Sequence, residues 1–445
     1  MRRSLAFASA AAAACVAATT PLHAQGSTVD QQSACMTGRV GTGVANPCDD
    51  GSAVFFSPAG LAMTPSAVSL GVSLIRSGNE FRYNAPFAGN VRGITREEAN
   101  IPVPQAYLNV RVNPRLAVGI GAFAPYGLSL EWPVCSVEEI KAAGGGCAGP
   151  NFEGRFSGYD NGFRGVYIQP TVAYQVIPNR LSVGVGLDYV LGSIEVHQRS
   201  AGPAALGLGN TDIADVTLEG KGTGVTGHVG AILKLAERAS FGVRYLHSVE
   251  VEMDGDAAFE QVPTGVAGID ALIGTQLPQD QGVATTIEFP SHIVAGLSYQ
   301  ASDRLSLMGD YQRTHWSSFD QFELDFAGAQ PTDTLLLNYR DANTFRFAAE
   351  YGATDALDLR VGFRYNEAAT PRATPLLPEG ERNYYTAGIG YRVSPRLSAD
   401  LAYQYVHQPD RNGALRPEGP IAGVYSATAQ VFGLTLAYRF GSLGR

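Results

Sequence analysis

From residue 66 onward the chain repeats one pattern: apolar residues at every second position, small or polar residues between them, for about ten residues at a time. In Leu357-Asp358-Leu359-Arg360-Val361-Gly362-Phe363-Arg364-Tyr365, one face carries Leu, Leu, Val, Phe and Tyr and the other carries Asp, Arg, Gly and Arg. Successive side chains of a strand point to opposite faces, so such a segment shows one face to an apolar medium and the other to water. Leu397 to Tyr405 with Asp400, Leu181 to Tyr189 with Asp188, and Leu305 to Tyr311 with Asp310 do the same. Past the N-terminal leader no stretch holds the ~18 uninterrupted apolar residues that a spanning helix needs. If this chain crosses a membrane, it does so as strands. A soluble sandwich also alternates, so the pattern alone leaves both readings open.

The connections discriminate between them. Six short ones, Asn113-Pro114-Arg115, Ile177 to Arg180, Ala236 to Ala239, Ala301 to Arg304, Ala353 to Asp355 and Ser394 to Arg396, each join two alternating segments. Longer polar loops rich in Gly and Pro lie between those hairpins. Short turns on one side and long loops on the other are the asymmetry of bacterial outer-membrane barrels. Strands are predicted near 66–77, 103–112, 115–125, 163–176, 180–198, 215–235, 239–254, 284–300, 304–326, 335–352, 356–366, 382–393, 396–408 and 427–440. That is fourteen, an even number, which puts both ends on the periplasmic side. The reading is therefore an all-β fold, a 14-stranded antiparallel transmembrane barrel. Tyr174, Tyr245, Tyr299, Tyr351, Tyr365, Tyr391, Tyr403 and Tyr438 fall near strand ends, as an interfacial girdle would; ordinary strand-favouring aromatics are the plainer alternative.

Composition fits a chain whose strands face lipid on one side and water on the other: 52 Gly, 20 Tyr and 20 Phe, with only 16% charged residues. The net charge of −9 gives no basic footprint, so nucleic acid is not an expected partner. The N-terminus reads as a secretory signal peptide over residues 1–24: Met1-Arg2-Arg3-Ser4, an alanine-rich run to about Ala18, then Leu22-His23-Ala24 before Gln25. A cut before Cys15 would instead give a lipoprotein, though Ala12-Ala13-Ala14 lacks the usual leucine. Beyond Cys15, Cys35 with Cys48 and Cys135 with Cys147 form two close-spaced pairs. In an exported chain these read as local disulfides, each worth roughly 3 kcal/mol in the chain-entropy model. Neither pair has histidines nearby at ligand spacing, so no metal and no cofactor is expected.

The segment from Asp50 to Ala62 contains Ser57-Pro58-Ala59-Gly60-Leu61, which resembles the Asn-Pro-Ala-Gly-Leu signature of the FadL/TodX family of hydrophobic-compound transporters, with Ser57 in place of Asn. Further similarities follow in family order: Pro125-Tyr126-Gly127-Leu128 with Trp132, Gly154-Arg155-Phe156, Glu219 to Gly224, Trp316-Ser317-Ser318-Phe319 and Tyr438-Arg439-Phe440. The last strand, Phe432 to Phe440, looks like the terminal signal read by the barrel-assembly machinery, although five residues follow it. The resemblance implies a barrel over residues 66–445, closed by an N-terminal hatch over residues 25–65 that Cys35 and Cys48 would brace. Cys135 and Cys147 would brace the loop after the third strand.

The resemblance also implies a route: capture between extracellular loops, a tighter lumenal site, and sideways release into the bilayer through a strand kink. For capture, Val266, Ile269, Leu272 and Ile273 recur at helical spacing on a loop. Packing against the loop Ala201 to Leu208 would explain them equally well. For the kink, Gly119, Gly121, Pro125 and Gly127 lie on or just past the third strand, where Gly and Pro weaken a ladder. Termination at Pro125 is the alternative. For a fatty-acid carboxylate, Arg244, Arg346, Arg360 and Arg364 lie on the polar face, but so do Asp310, Glu350, Asp358 and Asp400, and salt bridges across the lumen would also account for them.

The expected partners are a hydrophobic small molecule, outer-membrane lipid and lipopolysaccharide, met by a monomer. Long-chain fatty acids and aromatic hydrocarbons are both carried by relatives. A general diffusion porin is the competing function. An enzyme finds no Gly-x-Ser-x-Gly or His-Glu-x-x-His motif, and a surface adhesin rests only on the long loops.

Overall fold

The computed structural model describes residues 28–441 apart from 85–93, 96–98, 148, 150, 320, 329–330, 337 and 417–418. The predicted signal peptide and residues 25–27 of the predicted hatch lie outside the described residues. Fourteen antiparallel strands close into a barrel. In chain order they are β1 (Ala67–Tyr83), β2 (Ala99–Arg111), β3 (Leu116–Glu131), β4 (Asp160–Ile177), β5 (Leu181–Ala201), β6 (Asp212–Ala236), β7 (Ala239–Leu246 and Val249–Gln261) and β8 (Gln281–Phe289 and His292–Gln300). They continue with β9 (Leu305–Thr314 and Gln321–Phe326), β10 (Asp333–Leu336 and Ala342–Gly352), β11 (Leu357–Asn366), β12 (Arg382–Arg392), β13 (Leu397–Ala414) and β14 (Ile421–Arg439). Closure is made by β1 against β14, from Ala67↔Arg439 to Tyr83↔Gly423. A closed sheet has no edge to protect, and closure removes the sandwich reading. No helix among the described residues is long and apolar enough to cross a membrane.

All six predicted short turns join neighbouring antiparallel strands. The predicted strands 239–254, 284–300, 304–326 and 335–352 are each broken into two pieces rather than continuous. In β8 the break falls at Pro290, which has no N–H to give the ladder. In β9 it is a 3₁₀ turn at Trp316–Ser318. Alternation cannot locate such breaks, because the pattern of apolar residues resumes on the far side.

On β11 the outward Leu359, Val361 and Phe363 are 42%, 57% and 37% exposed, while the inward Arg360 and Arg364 are 6% and 2%. An apolar belt of this extent around the outside needs lipid as its partner. Tyr174, Tyr299, Tyr351, Tyr391 and Tyr438 are exposed near the short turns and form one ring of the girdle. Tyr245, Tyr365 and Tyr403 do not join it. Tyr245 lies beside the break in β7, Tyr365 lies at the loop end of β11, and Tyr403 packs at a tilt against Phe432 with ring centroids 5.3 Å apart.

Residues 28–66 are almost entirely buried and make contacts with inward-facing residues of the wall. They form a short helix α1 (Ala34–Gly38), a helical turn α2 (Ala53–Phe56) and a 3₁₀ turn at Pro58–Ala62. Cys35 is bonded to Cys48 across this segment. Cys135 is bonded to Cys147 in the loop after β3, around a short helix α3 (Val137–Ala142). The wall accepts the N-terminal segment through glycines. A Cβ at Gly184 would run into the Pro58 backbone, one at Gly242 into Val44, and one at Gly388 would sit 2.8 Å from the Gly38 Cα.

Candidate functional site

The wall is incomplete beside β3. This strand pairs with β2 only from Arg111↔Ala117 to Ala106↔Ala122. Beyond that point β2 is paired with β1 alone, back to Ala99, and β3 runs to Glu131 paired with β4 alone. A one-residue bulge interrupts the β3–β4 ladder between Phe123 and Tyr126. The strand does not end at Pro125. Among the described residues two strand edges are thus left without a ladder between them, an arrangement too costly to leave against lipid unless it lines an opening. Pro102 and Pro104 lie two residues apart on β2 and so withdraw donors from one and the same edge.

The N-terminal segment covers the bulge from inside. Val29 N donates to the Pro125 carbonyl at 2.7 Å, and Gln32 Nε2 to the Ala124 carbonyl at 2.6 Å. Thr28 bridges to Tyr126. Of the four residues predicted at the kink, Pro125 lies in the bulge and Gly127 just past it. Gly119 and Gly121 sit where β3 is still paired on both sides. Their missing side chains admit Val54 and Leu61 in one case and the Tyr107 and Phe123 rings in the other.

Phe55 of the N-terminal segment is buried in one cluster with Phe123, Tyr126, Tyr167, Phe289 and Trp316 of the wall. Tyr126 is its hub, with ring centroids 5.9 Å from Tyr167, 5.3 Å from Phe289 and 6.3 Å from Trp316. The four predicted arginines separate by partner. Arg346 and Arg364 both bind Asp30 of the N-terminal segment, the former at 2.8 Å. Burial opposes ionisation of Asp30, but Arg364 and Arg346 outweigh it and hold the carboxyl well below the ordinary range. Arg360 is 2.5 Å from Glu350, also contacts Asp400, and shares Glu350 with Arg39, which lies at 2.6 Å.

Arg244 makes no ion pair among the described residues. Its guanidinium lies 4.3 Å from the Phe55 ring centroid, one nitrogen donates to the Phe55 carbonyl, and Nη2 is 2.9 Å from His292 Nε2. Nε has no hydrogen-bond partner among the described residues. The salt-bridge reading therefore accounts for three of the four arginines and leaves Arg244 facing the aromatic cluster.

The motif Ser57, Pro58, Ala59 and Gly60 seats the 3₁₀ turn against the wall. Ser57 Oγ donates to the Val44 carbonyl at 2.8 Å, and Ser182 of β5 donates to the Ala59 carbonyl at 2.6 Å. Gly60 packs against the Pro47 ring, with no room for a side chain.

The loop after β7 carries the expected helix, α4 (Ala267–Gln276), with none of its residues buried. Val266 and Leu272 are exposed, and Ile269 and Ile273 half-buried. Its base packs on the disulfide-bonded loop. Val262 is buried with Cys135, Val137 and Ile140, and Lys141 is 2.5 Å from Glu260. The 201–208 loop closes on itself, with Gly202 N donating to the Thr211 carbonyl and Leu208 N to that of Pro203.

Two features went unread in the sequence. The pair Pro102 and Pro104 at the start of the predicted strand 103–112, inside the observed β2, marks an edge, which the alternation obscured. The loop between β11 and β12 folds inward, its backbone held by Arg411 and Gln408 of β13, so that Leu377 joins the aromatic cluster. Its apolar, proline-rich run Ala373-Thr374-Pro375-Leu376-Leu377-Pro378 was the available signal.

Known proteins share this architecture. The solved structure of a Pseudomonas aeruginosa FadL homologue superposes with a TM-score of 0.79 at 22% identity, covering 94% of this chain and all of the other (100%). The Pseudomonas putida toluene transporter TodX superposes with a TM-score of 0.66 at 15% identity, covering 95% and 100%. In sequence the chain is 25% identical over 350 residues to the 47 kDa outer membrane protein of Pasteurella multocida, covering 77% of each. It is 21% identical over 362 residues to the long-chain fatty acid transport protein of Escherichia coli K12, covering 76% of this chain and 77% of that one. The model of the outer membrane protein transport protein family (OMPP1/FadL/TodX) matches residues 13–440, and the chain belongs to that family of outer-membrane transporters of hydrophobic compounds.

Proposed function

We propose that this protein carries hydrophobic carboxylates of the long-chain fatty-acid kind. Substrate is captured beside α4 at Val266, Ile269, Leu272 and Ile273, held in the aromatic cluster with its carboxylate on Arg244, and released sideways between β2 and β3. The observation that carries this reading is the wall gap covered from inside by Val29 and Gln32. Lipopolysaccharide is a polar barrier to greasy solutes, and an exit into the bilayer core spares them a second passage through water. Residues 28–66 act as the hatch whose shift uncovers the gap.

The test is uptake of radiolabelled oleate and toluene by cells with and without the protein, beside a variant lacking residues 25–65. Faster oleate entry through a barrel that passes few ions supports the reading. Free ion conduction by the intact protein, with neither solute entering faster, sinks it in favour of a porin. Neutral aromatic hydrocarbons are the second reading, favoured by the aromatic cluster itself; toluene entry without oleate entry would establish it.

A further inference from the structure

We propose that His292 and Tyr126 form a relay through which a carboxylate arriving at Arg244 loosens β3 at its bulge, so that the substrate itself unlocks the wall. The inference rests on the carboxylate reading of Arg244 given above, and deepens it.

The hydrogen bonds run in one direction. Arg244 is donor only, so His292 Nε2, 2.9 Å from Nη2, must accept. The ring is then neutral with its proton on Nδ1. That nitrogen lies 3.3 Å from the Tyr126 hydroxyl, which accepts its N–H and donates its own O–H to the Pro290 carbonyl at 2.8 Å. The chain is Arg244 to His292 to Tyr126 to Pro290, with every donor and acceptor used once. It ties the far side of the bulge in β3, where pairing resumes at Tyr126, to the break in β8.

Arg244 is also poised to give up this bond. A carboxylate binds a guanidinium best through two parallel N–H groups. The pair formed by Nε and Nη2 offers an Nε with no partner and an Nη2 held only by a neutral ring. Nη1 remains on the Phe55 carbonyl, so the hatch stays tethered to Arg244 throughout the exchange. A carboxylate on that fork satisfies Nε and displaces His292 Nε2. The imidazole is then free to turn, and Tyr126 loses one of its two polar restraints. A neutral hydrocarbon makes no such exchange and leaves the relay closed.

The experiment is amide hydrogen exchange over residues 122–131 of the full-length protein in lipid nanodiscs, with oleate, with oleyl alcohol and with neither. Oleate binding is measured in the same samples. Oleate is expected to raise exchange several-fold and the alcohol to leave it unchanged. In Tyr126→Phe, which keeps the ring, exchange is already raised without ligand and oleate adds nothing. Because the ligand no longer has to open the relay, oleate binds roughly three- to ten-fold more tightly. A residue that only fills space would not show that gain in affinity. If Tyr126→Phe does not assemble, His292→Leu carries the same expectations, since it offers neither an acceptor to Arg244 nor a donor to Tyr126. Oleate bound with no change in β3, or a full oleate response in Tyr126→Phe, overturns the relay and leaves Arg244 as the binding group. Failure of oleate to bind at all overturns the Arg244 reading, and the relay with it.

Discussion

Arg244 differs from the other lumenal arginines in its neighbours, and no rule of sequence could have shown this. Alternation places Arg244, Arg346, Arg360 and Arg364 on the inward face. Which of them meets an acid depends on where Asp30, 214 residues before Arg244 in the chain, settles inside the barrel. The consequence is a selective defect. Arg244→Gln removes a charged hydrogen bond to a fatty-acid carboxylate, worth about ten- to a hundred-fold in affinity. Oleate uptake should fall by that order while toluene entry is unchanged; equal loss of both would assign Arg244 a structural role. A second residue-scale effect concerns the wall glycines. Gly242→Val drives a side chain into the Val44 backbone, which cannot yield without unseating the segment. Single-channel conductance in planar bilayers should rise, whereas a barrel as tight as the parent would mean that the segment adjusts.

Among the elements, the strands were legible because lipid and water enforce strict alternation, and the turns because hairpins leave little choice of length. The breaks in β7 to β10 were not, since what replaces the ladder there is contact across the lumen, such as Tyr126 with Pro290. Pro125 was legible as a disturbance in β3 but not as a bulge with pairing beyond it. Between Phe123 and Tyr126 the strand holds one residue more than the stretch of β4 from Tyr167 to Gly165 that it opposes. Deleting Pro125 should restore the register, let β3 continue its ladder toward β2, and reduce oleate uptake to near the level of cells without the protein. Surface abundance and heat-modifiable migration on gels should stay as in the parent. Uptake that survives in a properly assembled deletion variant would place the exit elsewhere.

At the scale of the whole molecule residues 28–66 are held in the barrel both by apolar packing, with Met36, Val54, Phe55, Phe56 and Leu61 in the main buried cluster, and by a few buried ionic contacts. Asp30 holds two wall arginines, and Arg39 and Arg360 share Glu350. A carboxyl whose folded value is depressed contributes stability in full above its unfolded value, about 3.9. That contribution disappears only as the pH falls through the depressed value. For Asp30 the loss therefore comes well below the ordinary carboxylate range, and protease resistance of residues 28–66 should be the same at neutral pH and at about pH 4. Asp30→Asn leaves Arg346 and Arg364 buried without their acid. Removing one partner of such a group costs about 3–5 kcal/mol, enough to release the segment at neutral pH, where limited proteolysis and ion conductance should both report it. A seated segment in Asp30→Asn would mean that the glycine-lined fit and the Cys35–Cys48 bond hold it without the ion pairs, and that the substrate must then displace packing rather than charge.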